Sequence, residues 1–238
     1  MLITVMTGAG ISTESGIPDY RGPRGLWRRD PDHEKLVTIG YYLADPEIRR
    51  RSWEFRRGNP ARDAAPNGAH RALVELERAG RLDRLITQNV DGLHQRAGSD
   101  PERVLELHGN MFGVVCVGCG GRSTLDEALA RLDAGEDDPA CRECGGILKT
   151  TTVMFGENLP EEVVAEAVEA TERAEVFVAI GTSLQVMPAA SLAALAVRRG
   201  ARLIVVNAEP TPYDDLAAEV IRDPIGEAVP RLVARLAG

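Results

Sequence analysis

Aromatic residues are scarce in this sequence, and long apolar runs are missing from it. Phe, Trp and Tyr make up 4% of the 238 residues, whereas hydrophobic residues in total make up 44%. The core must therefore be mainly aliphatic, as in α/β proteins whose buried strands are rich in Val, Ile and Leu. Because no apolar run approaches the ~20 residues that a membrane helix needs, no membrane partner is expected.

Positive charge is also in deficit. The 28 Lys and Arg residues are outnumbered by 36 Asp and Glu residues, which gives a net charge of −8. Duplex nucleic acid binds a clustered positive face, so nucleic acid is not expected as a direct partner. The one basic segment, residues 49–57, is interpreted as the solvated face of a helix.

Cysteine occurs only in two Cys-x-x-Cys pairs, which are separated by 21 residues and are each followed by glycines. Four thiolates can surround Zn²⁺ tetrahedrally, and a full shell leaves no position for a catalytic water. We therefore predict a structural zinc site on Cys116, Cys119, Cys141 and Cys144, with redox-active dithiols as the alternative. Residues 1–6 lack the charged segment of a secretory signal, so the cytoplasm is the predicted location.

Short apolar runs alternate with helical patterns along the chain. The predicted strands, residues 2–6, 82–86, 176–180 and 203–206, each precede a turn rich in Gly, Asn or Thr, and helices are predicted at 68–79 and 161–173. This alternation predicts an α/β fold with a Rossmann-like, doubly wound parallel sheet. Ligands bind at the carboxyl ends of such strands, where the polar turns cluster.

Two segments interrupt this alternation and are interpreted as insertions that form a smaller lobe. Residues 25–66 are rich in Arg, Asp and Pro and predict a helical insertion, and residues 113–146 contain the cysteine pairs and predict a zinc-ribbon module. The remaining segments, 1–24, 67–112 and 147–238, would form the larger, Rossmann-like domain.

The first predicted strand runs into a glycine-rich turn with Gly8, Gly10 and Gly16. Such a turn lets a pyrophosphate approach the backbone, and the next helix would direct its N-terminal amides at the negative charge. Thr13 occupies the third position of the dinucleotide fingerprint, and no convincing strand ends in an acidic residue about 20 positions later. The pattern therefore argues against an ordinary dehydrogenase, and a simple tight turn remains an alternative.

The same segment, GAGISTESGIPDYR (residues 8–21), resembles the opening signature of the sirtuins. Further matches follow in the order of that family: TQNVDGLH (87–94), LHG (107–109), the cysteine pairs, FGE (155–157), GTSL (181–184) and NAE (207–209). The matches extend from residue 4 to about residue 226, and the first two are long and specific.

The resemblance implies an NAD-dependent enzyme that removes acyl groups from lysine side chains of proteins or peptides. In sirtuins the acyl oxygen attacks C1′ of the ribose, nicotinamide leaves, and a ribose hydroxyl attacks the resulting imidate carbon. The second attack needs a proton acceptor near neutral pH, and His108 matches the catalytic histidine of the family. Of the other histidines, His33 is predicted to be exposed, and His70 and His94 to be structural.

The resemblance also implies which residues bind NAD. Asn89, which is expected to bond a ribose hydroxyl or to order water, is counted with His108 as catalytic, and Asp91 is expected to accept a bond from the nicotinamide carboxamide. Without the resemblance, these two residues would be read as a simple Asn/Asp turn. The implied NAD-binding residues are Gly8, Ala9, Gly10, Thr13, Glu14, Asp19, Tyr20, Arg21, Gln88, Asn89, Asp91, His108, Gly181, Thr182, Ser183, Asn207, Glu209 and Ile225.

A substrate-binding edge is implied for Val153, Met154, Phe155, Gly156 and Glu157, which would pair with the acyl-lysine peptide by β-addition. Sirtuins usually have a Pro-Asp pair before this segment, whereas this chain has three threonines at 150–152. That departure leaves the affinity for peptide open.

The resemblance also bears on which acyl group is removed from lysine. Sirtuins that prefer succinyl or malonyl lysine carry a Tyr-x-x-Arg pair, and the nearest match here is Trp53 with Arg56. Arg56 could pair with a carboxylate, but a solvated helix face is the favoured interpretation. Acetyl-lysine is therefore the expected substrate.

Three other functions remain as alternatives. Mono-ADP-ribosyl transfer would use the same cleaved NAD, and only its products would distinguish it. A non-catalytic NAD sensor or zinc-ribbon module would not need His108, Asn89 and Asp91 together. A redox dehydrogenase is the least consistent with the imperfect fingerprint.

Overall fold

The computed structural model describes residues 1–20, 22, 25–26 and 32–238. Arg21, one of the NAD-binding residues that the resemblance implies, lies outside the described residues.

The main sheet is parallel, and its strands are β1 (Ile3–Thr7), β2 (Leu82–Thr87), β3 (Val104–Glu106), β7 (Val176–Ile180), β8 (Arg202–Val206) and β9 (Glu219–Ile221). Across the sheet their order is β3-β2-β1-β7-β8-β9. This confirms the doubly wound sheet that the alternating pattern predicts. The predicted strand bounds differ from the observed ones by at most one residue.

Helices cover both faces of this sheet. They are α4 (Gly68–Arg78) and α9 (Ile225–Ala237) on one face and α7 (Glu161–Glu172) and α8 (Ser191–Arg198) on the other, and α5 (Leu93–Ala97) follows β2. Successive side chains of a strand point to opposite faces. In β1, Val5 therefore packs into the core under α4 and α9, whereas Met6 packs into the core under α7 and α8.

A second, antiparallel sheet has the order β5-β4-β6. Its strands are β4 (Gly113–Cys116), β5 (Arg122–Thr124) and β6 (Leu148–Thr150), and α6 (Leu125–Asp133) packs beside them. The segment before α4 contains α1 (His33–Leu36), α2 (Ile39–Ala44) and α3 (Pro46–Arg57). Trp53 of α3 is fully buried in the core that also contains Cys116 and Cys141.

The interpretation of residues 49–57 as a solvated helix face is wrong for part of α3. Trp53 is fully buried and Arg56 is 7% exposed. The basic side chains pair with acidic residues of the cysteine-containing segment: Arg49 Nε lies 2.8 Å from Asp138 Oδ2, and Arg57 Nη1 lies 3.5 Å from Asp133 Oδ1. Because these partners are remote in sequence, the charge pattern of α3 alone does not predict them.

His33 is also not exposed as predicted. It is 3% exposed, and its ring meets the edge of Phe55 of α3 at a centroid distance of 4.5 Å. Phe55 therefore covers His33, although the charged residues around His33 in the sequence suggest a solvated position. Among the described residues, no helix combines the length and apolarity needed to cross a membrane.

His70 of α4 and His94 of α5 lie side by side, with ring centroids 4.9 Å apart. His70 Nδ1 is 3.0 Å from Asn67 Oδ1, and His94 Nε2 is 2.9 Å from Thr7 Oγ1 at the end of β1. Burial lowers the pKa of His70 to about 4 and places the pKa of His94 well below its usual value. Both rings are therefore neutral in the folded protein at pH 7.

Acidification should destabilise the protein through this pair. The unfolded chain protonates His70 near pH 6.5 and the folded chain only near pH 4, so the free energy of unfolding falls across that window. His70 alone should contribute a loss of about 1.5 kcal/mol between pH 6.5 and pH 5. Urea unfolding of wild type and His70→Gln at both pH values measures this, and equal losses in the two proteins would contradict it.

Candidate functional site

A cavity of about 1170 Å³ lies at the carboxyl ends of the main-sheet strands. The turns after β1, β2, β7 and β8 line one side of it, and residues from α3 and the segment after β6 line the other side. This is the edge of a parallel sheet at which ligands bind. Of the predicted NAD-binding residues, the cavity is lined by Gly8, Ala9, Gly10, Asp19, Tyr20, Gln88, Asn89, Asp91, His108, Gly181, Thr182, Ser183, Asn207 and Glu209.

The turns after β1 and β7 cross in backbone contact. Gly10 N donates to Gly181 O over 2.8 Å, and a Cβ on Gly10 would lie only 2.8 Å from the Cα of Gly181. Gly181 itself has a φ of +60°, and a Cβ there would lie 2.4 Å from Ile11 N. Only glycine fits these positions, so the two turns form one backbone-lined wall.

The glycine-rich turn continues into a 3-10 helix, Ala9–Ser15, and not into the α-helix suited to hold a phosphate at its N-terminus. Its Gly10 and Ile11 amides donate to the carbonyls of Gly181 and Gly8. The expectation that the first amides of this helix point freely at a phosphate is therefore wrong for these two. Their hydrogen bonds hold the shape of the turn instead.

Three predicted residues do not line the cavity. Thr13 Oγ1 donates to Gly10 O over 3.0 Å, and Glu14 Oε1 accepts from Gly226 N of α9 over 2.8 Å. Ile225, at the start of α9, is partly buried against the core beneath α4. The 3-10 helix turns Thr13 and Glu14 away from the cavity, which the linear motif does not reveal.

Asn89 and Asp91 belong to one buried hydrogen-bond network with Ser12. Asn89 Nδ2 donates to Gly8 O over 3.1 Å and to Ser12 Oγ over 3.2 Å, and Ser12 Oγ donates to Asp91 Oδ2 over 2.7 Å. Asn89 Oδ1 is left without a donor among the described residues. Burial raises the pKa of Asp91, and the amide of Leu93 opposes this shift. Sequence reasoning missed Ser12, although it lies inside the glycine-rich motif.

Gln88 connects the turns after β2 and β7. Its Nε2 donates to Thr182 Oγ1 over 2.9 Å, and its main-chain carbonyl accepts from His108 Nδ1 over 2.8 Å. A carbonyl oxygen can only accept, so Nδ1 carries the proton and Nε2 keeps its lone pair. Burial lowers the pKa of His108, and the bond to Gln88 partly opposes this. His108 is therefore a neutral base with an accepting Nε2 in a cavity wall.

Glu106 holds the turn that carries His108, and sequence reasoning missed it. Its Oε1 accepts from Gln95 Nε2 over 3.0 Å and from Asn110 Nδ2 over 2.8 Å. Burial raises the pKa of the Glu106 carboxyl, and the two donated hydrogen bonds oppose that shift. It thereby joins α5 to the chain on both sides of His108.

All five residues of the predicted substrate edge line the cavity, namely Val153, Met154, Phe155, Gly156 and Glu157. Val153 N donates to His108 O over 2.8 Å, and Phe155 exchanges backbone hydrogen bonds with Val37 and Ile39. The backbone bonds of this segment leave the amide and carbonyl of Gly156 without a partner among the described residues. These groups are therefore available to a ligand in the cavity.

Asn207 and Glu209 are held by Arg222, which sequence reasoning did not single out. Arg222 Nη1 donates to Asn207 O over 2.7 Å and to Glu209 O over 3.0 Å, and its Nη2 pairs with Asp214. The guanidinium fork therefore fixes the backbone of the turn after β8.

The four cysteines converge on one point away from the cavity. Their Sγ atoms lie within 4.8 Å of one another, with Cys116 to Cys144 at 3.5 Å and Cys119 to Cys141 at 3.7 Å. Thiolates around tetrahedral Zn²⁺ at 2.3 Å stand about 3.8 Å apart, so the geometry fits that ion. Both short distances join one Cys-x-x-Cys pair to the other, which favours a shared metal over two separate dithiols.

Comparison with known proteins gives one consistent result. The model of a family described as the Sir2 family matches residues 8–188. The chain is 62% identical to NAD-dependent protein deacetylase 2 of Streptomyces coelicolor, over 99% of this chain and 98% of that protein. It is 48% identical to NAD-dependent protein deacetylase 1 of Pyrobaculum aerophilum, over 98% of this chain and 89% of that protein. A solved Sir2 structure with a peptide and NAD⁺ superposes with a TM-score of 0.88 at 38% identity, covering 98% of this chain and 92% of that one.

Loss of one cysteine should remove the metal and loosen the lobe around it. Cys141→Ser should abolish stoichiometric zinc and lower the stability by several kcal/mol, because the metal stabilises the folded module directly. Mass spectrometry under native conditions and thermal unfolding measure these effects. Glu143→Gln is the matched control, since its carboxylate lies 3.8 Å from Cys119 Sγ without completing the cluster. Retention of zinc by Cys141→Ser would contradict the assignment.

Proposed function

This chain belongs to the Sir2 family, the sirtuins, and from that premise we propose that it is an NAD-dependent protein-lysine deacylase that removes acetyl groups. The products are nicotinamide, O-acyl-ADP-ribose and free lysine. The observation that carries the proposal is the arrangement of His108, whose accepting Nε2 belongs to the same cavity as the glycine turns and the substrate edge.

His108 acts as the general base of the second half of the reaction. After the acyl oxygen has bonded to C1′ and nicotinamide has left, a ribose hydroxyl attacks the imidate carbon. Nε2 of His108 accepts the proton of that hydroxyl, and the Gln88 carbonyl holds Nδ1 so that the ring keeps the tautomer required. The lowered pKa of His108 keeps this base neutral at pH 7.

Asn89 and Asp91 bind the nicotinamide half of NAD. Both N–H groups of Asn89 are engaged, so its Oδ1 is oriented to accept from a ribose hydroxyl. Asp91 is fixed by Ser12 and can accept from the carboxamide. Asn207, Glu209 and the glycine turns would hold the adenosine half and the pyrophosphate.

The proposal also covers the peptide-binding edge, the metal site, the division into domains and the location in the cell. Residues 153–157 bind the acyl-lysine peptide, with Gly156 offering its backbone groups. The cysteine cluster holds a structural Zn²⁺, which supplies stability and no chemistry to the reaction. The division into residues 1–24, 67–112 and 147–238 against 25–66 and 113–146, and a location in the cytoplasm, are part of the same proposal.

The test is a product analysis with an acetyl-lysine peptide, with and without NAD. Wild type should release nicotinamide and O-acetyl-ADP-ribose only when both substrates are present, and His108→Ala should lose at least about 100-fold in rate. As pH falls, kcat/KM should drop through an apparent pKa below 6.5, because His108 must be neutral to act. Retained NAD binding in the variant, seen as a thermal shift, is the control. ADP-ribosylated protein without O-acetyl-ADP-ribose would favour mono-ADP-ribosyl transfer instead.

One observation favours a second substrate class, lysines with acidic acyl groups. Arg56 is buried and lines the cavity, yet no carboxylate pairs with it among the described residues. Its Nε donates to Thr150 Oγ1 over 3.1 Å and its Nη1 donates to Ser52, and the guanidinium lies over the rings of Tyr42 and Trp53, which leaves Nη2 without a hydrogen-bond partner among the described residues. A buried cation lacking an anion favours an anionic ligand. Trp53 lies within the core beside it and does not reach the cavity.

Replacement of Arg56 separates the two substrate classes. If Arg56 binds a carboxylate, Arg56→Met should reduce kcat/KM for a succinyl-lysine peptide by about 100-fold, with an effect of about threefold or less on the acetyl-lysine peptide. Steady-state kinetics on the two peptides measure the ratio. Equal losses on both peptides would show that Arg56 only supports the fold.

A further inference from the structure

Lys149, in the middle of β6, has an ammonium group that is almost completely enclosed. Its side chain is 9% exposed, and Nζ lies 3.0 Å from Glu157 Oε2. Nζ also donates to Thr150 O over 3.3 Å and to Thr152 O over 3.0 Å. An ammonium has three N–H donors, so three partners satisfy it completely.

All three partners of Lys149 line the cavity, whereas Lys149 does not. Glu157 is engaged a second time, because its Oε2 accepts from Met154 N over 2.8 Å. One buried cation thus connects Thr150 and Thr152, which precede the substrate edge, with Glu157 at the end of that edge. The chain between these contacts is the segment on which a peptide would lie.

The same segment is fixed to the turn that carries His108. Thr151 Oγ1 donates to Asn110 O over 2.7 Å, and Val153 N donates to His108 O over 2.8 Å. Moreover, a Cβ on Gly109 would lie 2.2 Å from Thr151 O, so the two backbones are in direct contact. Any shift of residues 150–157 would therefore move the substrate edge relative to His108.

We propose that Lys149 is a positioning residue for the acyl-lysine peptide: it clamps residues 150–157 into the conformation that presents Gly156 and the neighbouring backbone to substrate. This rests on the proposed deacylase function and concerns the peptide alone. Among the described residues, the Lys149 ammonium forms no hydrogen bond or ion pair with the turns that would hold NAD, and it acts only through its three partners.

A clamp and a merely structural ion pair have different consequences. Loss of a structural pair lowers stability and affects both substrates alike, whereas loss of the clamp weakens peptide binding selectively. The pair of Arg49 and Asp138 is a matched control, because its side chains are 11% and 22% exposed and 2.8 Å apart, against 9% and 27% for Lys149 and Glu157. It joins α3 to the cysteine-containing segment and does not contact residues 150–157.

The experiment compares Lys149→Met, Lys149→Arg and Arg49→Met. Lys149→Met should raise KM for an acetyl-lysine peptide at least about tenfold and change kcat and KM for NAD by no more than about threefold. Lys149→Arg should restore most of the peptide affinity, since it keeps the charge. Arg49→Met should lower the melting temperature comparably and leave both KM values near wild type.

Glu157→Gln provides a second variant in case Lys149→Met folds poorly. It removes the anionic partner but keeps an oxygen that can accept from Met154 N, and it should raise peptide KM in the same direction. The proposal is overturned if Lys149→Met and Arg49→Met raise peptide KM equally, or if KM for NAD rises as much as KM for peptide. Peptide affinity measured by fluorescence anisotropy without NAD keeps this test separate from turnover, so an inactive wild type would refute the deacylase and not the clamp.

Discussion

The crossing of two glycine turns at the edge of the main sheet is the constraint on which the rest of the site depends. Gly10 and Gly181 meet backbone to backbone, and a single Cβ at either position would overlap the other turn. This contact fixes the turns after β1 and β7 against each other. Asn89 is then held by the carbonyl of Gly8, and Gln88 by the hydroxyl of Thr182. Because Gln88 in turn holds His108, the orientation of the base follows from the position of the glycines.

The other wall of the cavity is built by different forces. Its backbone comes from the end of β6 and the segment that follows, and its arginine comes from α3. Ion pairs such as Arg49 with Asp138 hold α3 against the cysteine-containing segment, and Trp53 packs in the same core as Cys116. The cysteine cluster lies outside the cavity and shares its core with the helix that carries Arg56. NAD would thus bind to the turns of the parallel sheet, and the peptide would bind to the opposite wall, which α3 and the segment after β6 form.

Much of this organisation could be predicted from the sequence, because it follows from patterns of residues that are close together in the chain. The strands of the main sheet follow from short apolar runs, the metal site from the spacing of the cysteines, and His108 from its motif. Side-chain direction and remote pairing were not predictable. Thr13 and Glu14 belong to the same motif as Gly8 but turn away, because the segment is a 3-10 helix. The burial of Arg56 depends on contacts with residues far away in the chain, such as Thr150. The enclosure of Lys149 depends on the loop that brings Glu157 back to it, and no periodic pattern in the sequence predicts the shape of that loop.

In the proposed reaction, one cavity brings the acyl oxygen of the lysine substrate to C1′ of the NAD ribose. An acetyl-lysine peptide labelled with ¹⁸O in the acetyl carbonyl tests it directly, with the products analysed by mass immediately after a single turnover. The label should be found on the ribose of O-acetyl-ADP-ribose and should stay with ADP-ribose when the acetyl ester is cleaved. Label recovered in free acetate, with ADP-ribose unlabelled, would mean that the amide is hydrolysed without attack on NAD, and the proposed reaction would be wrong.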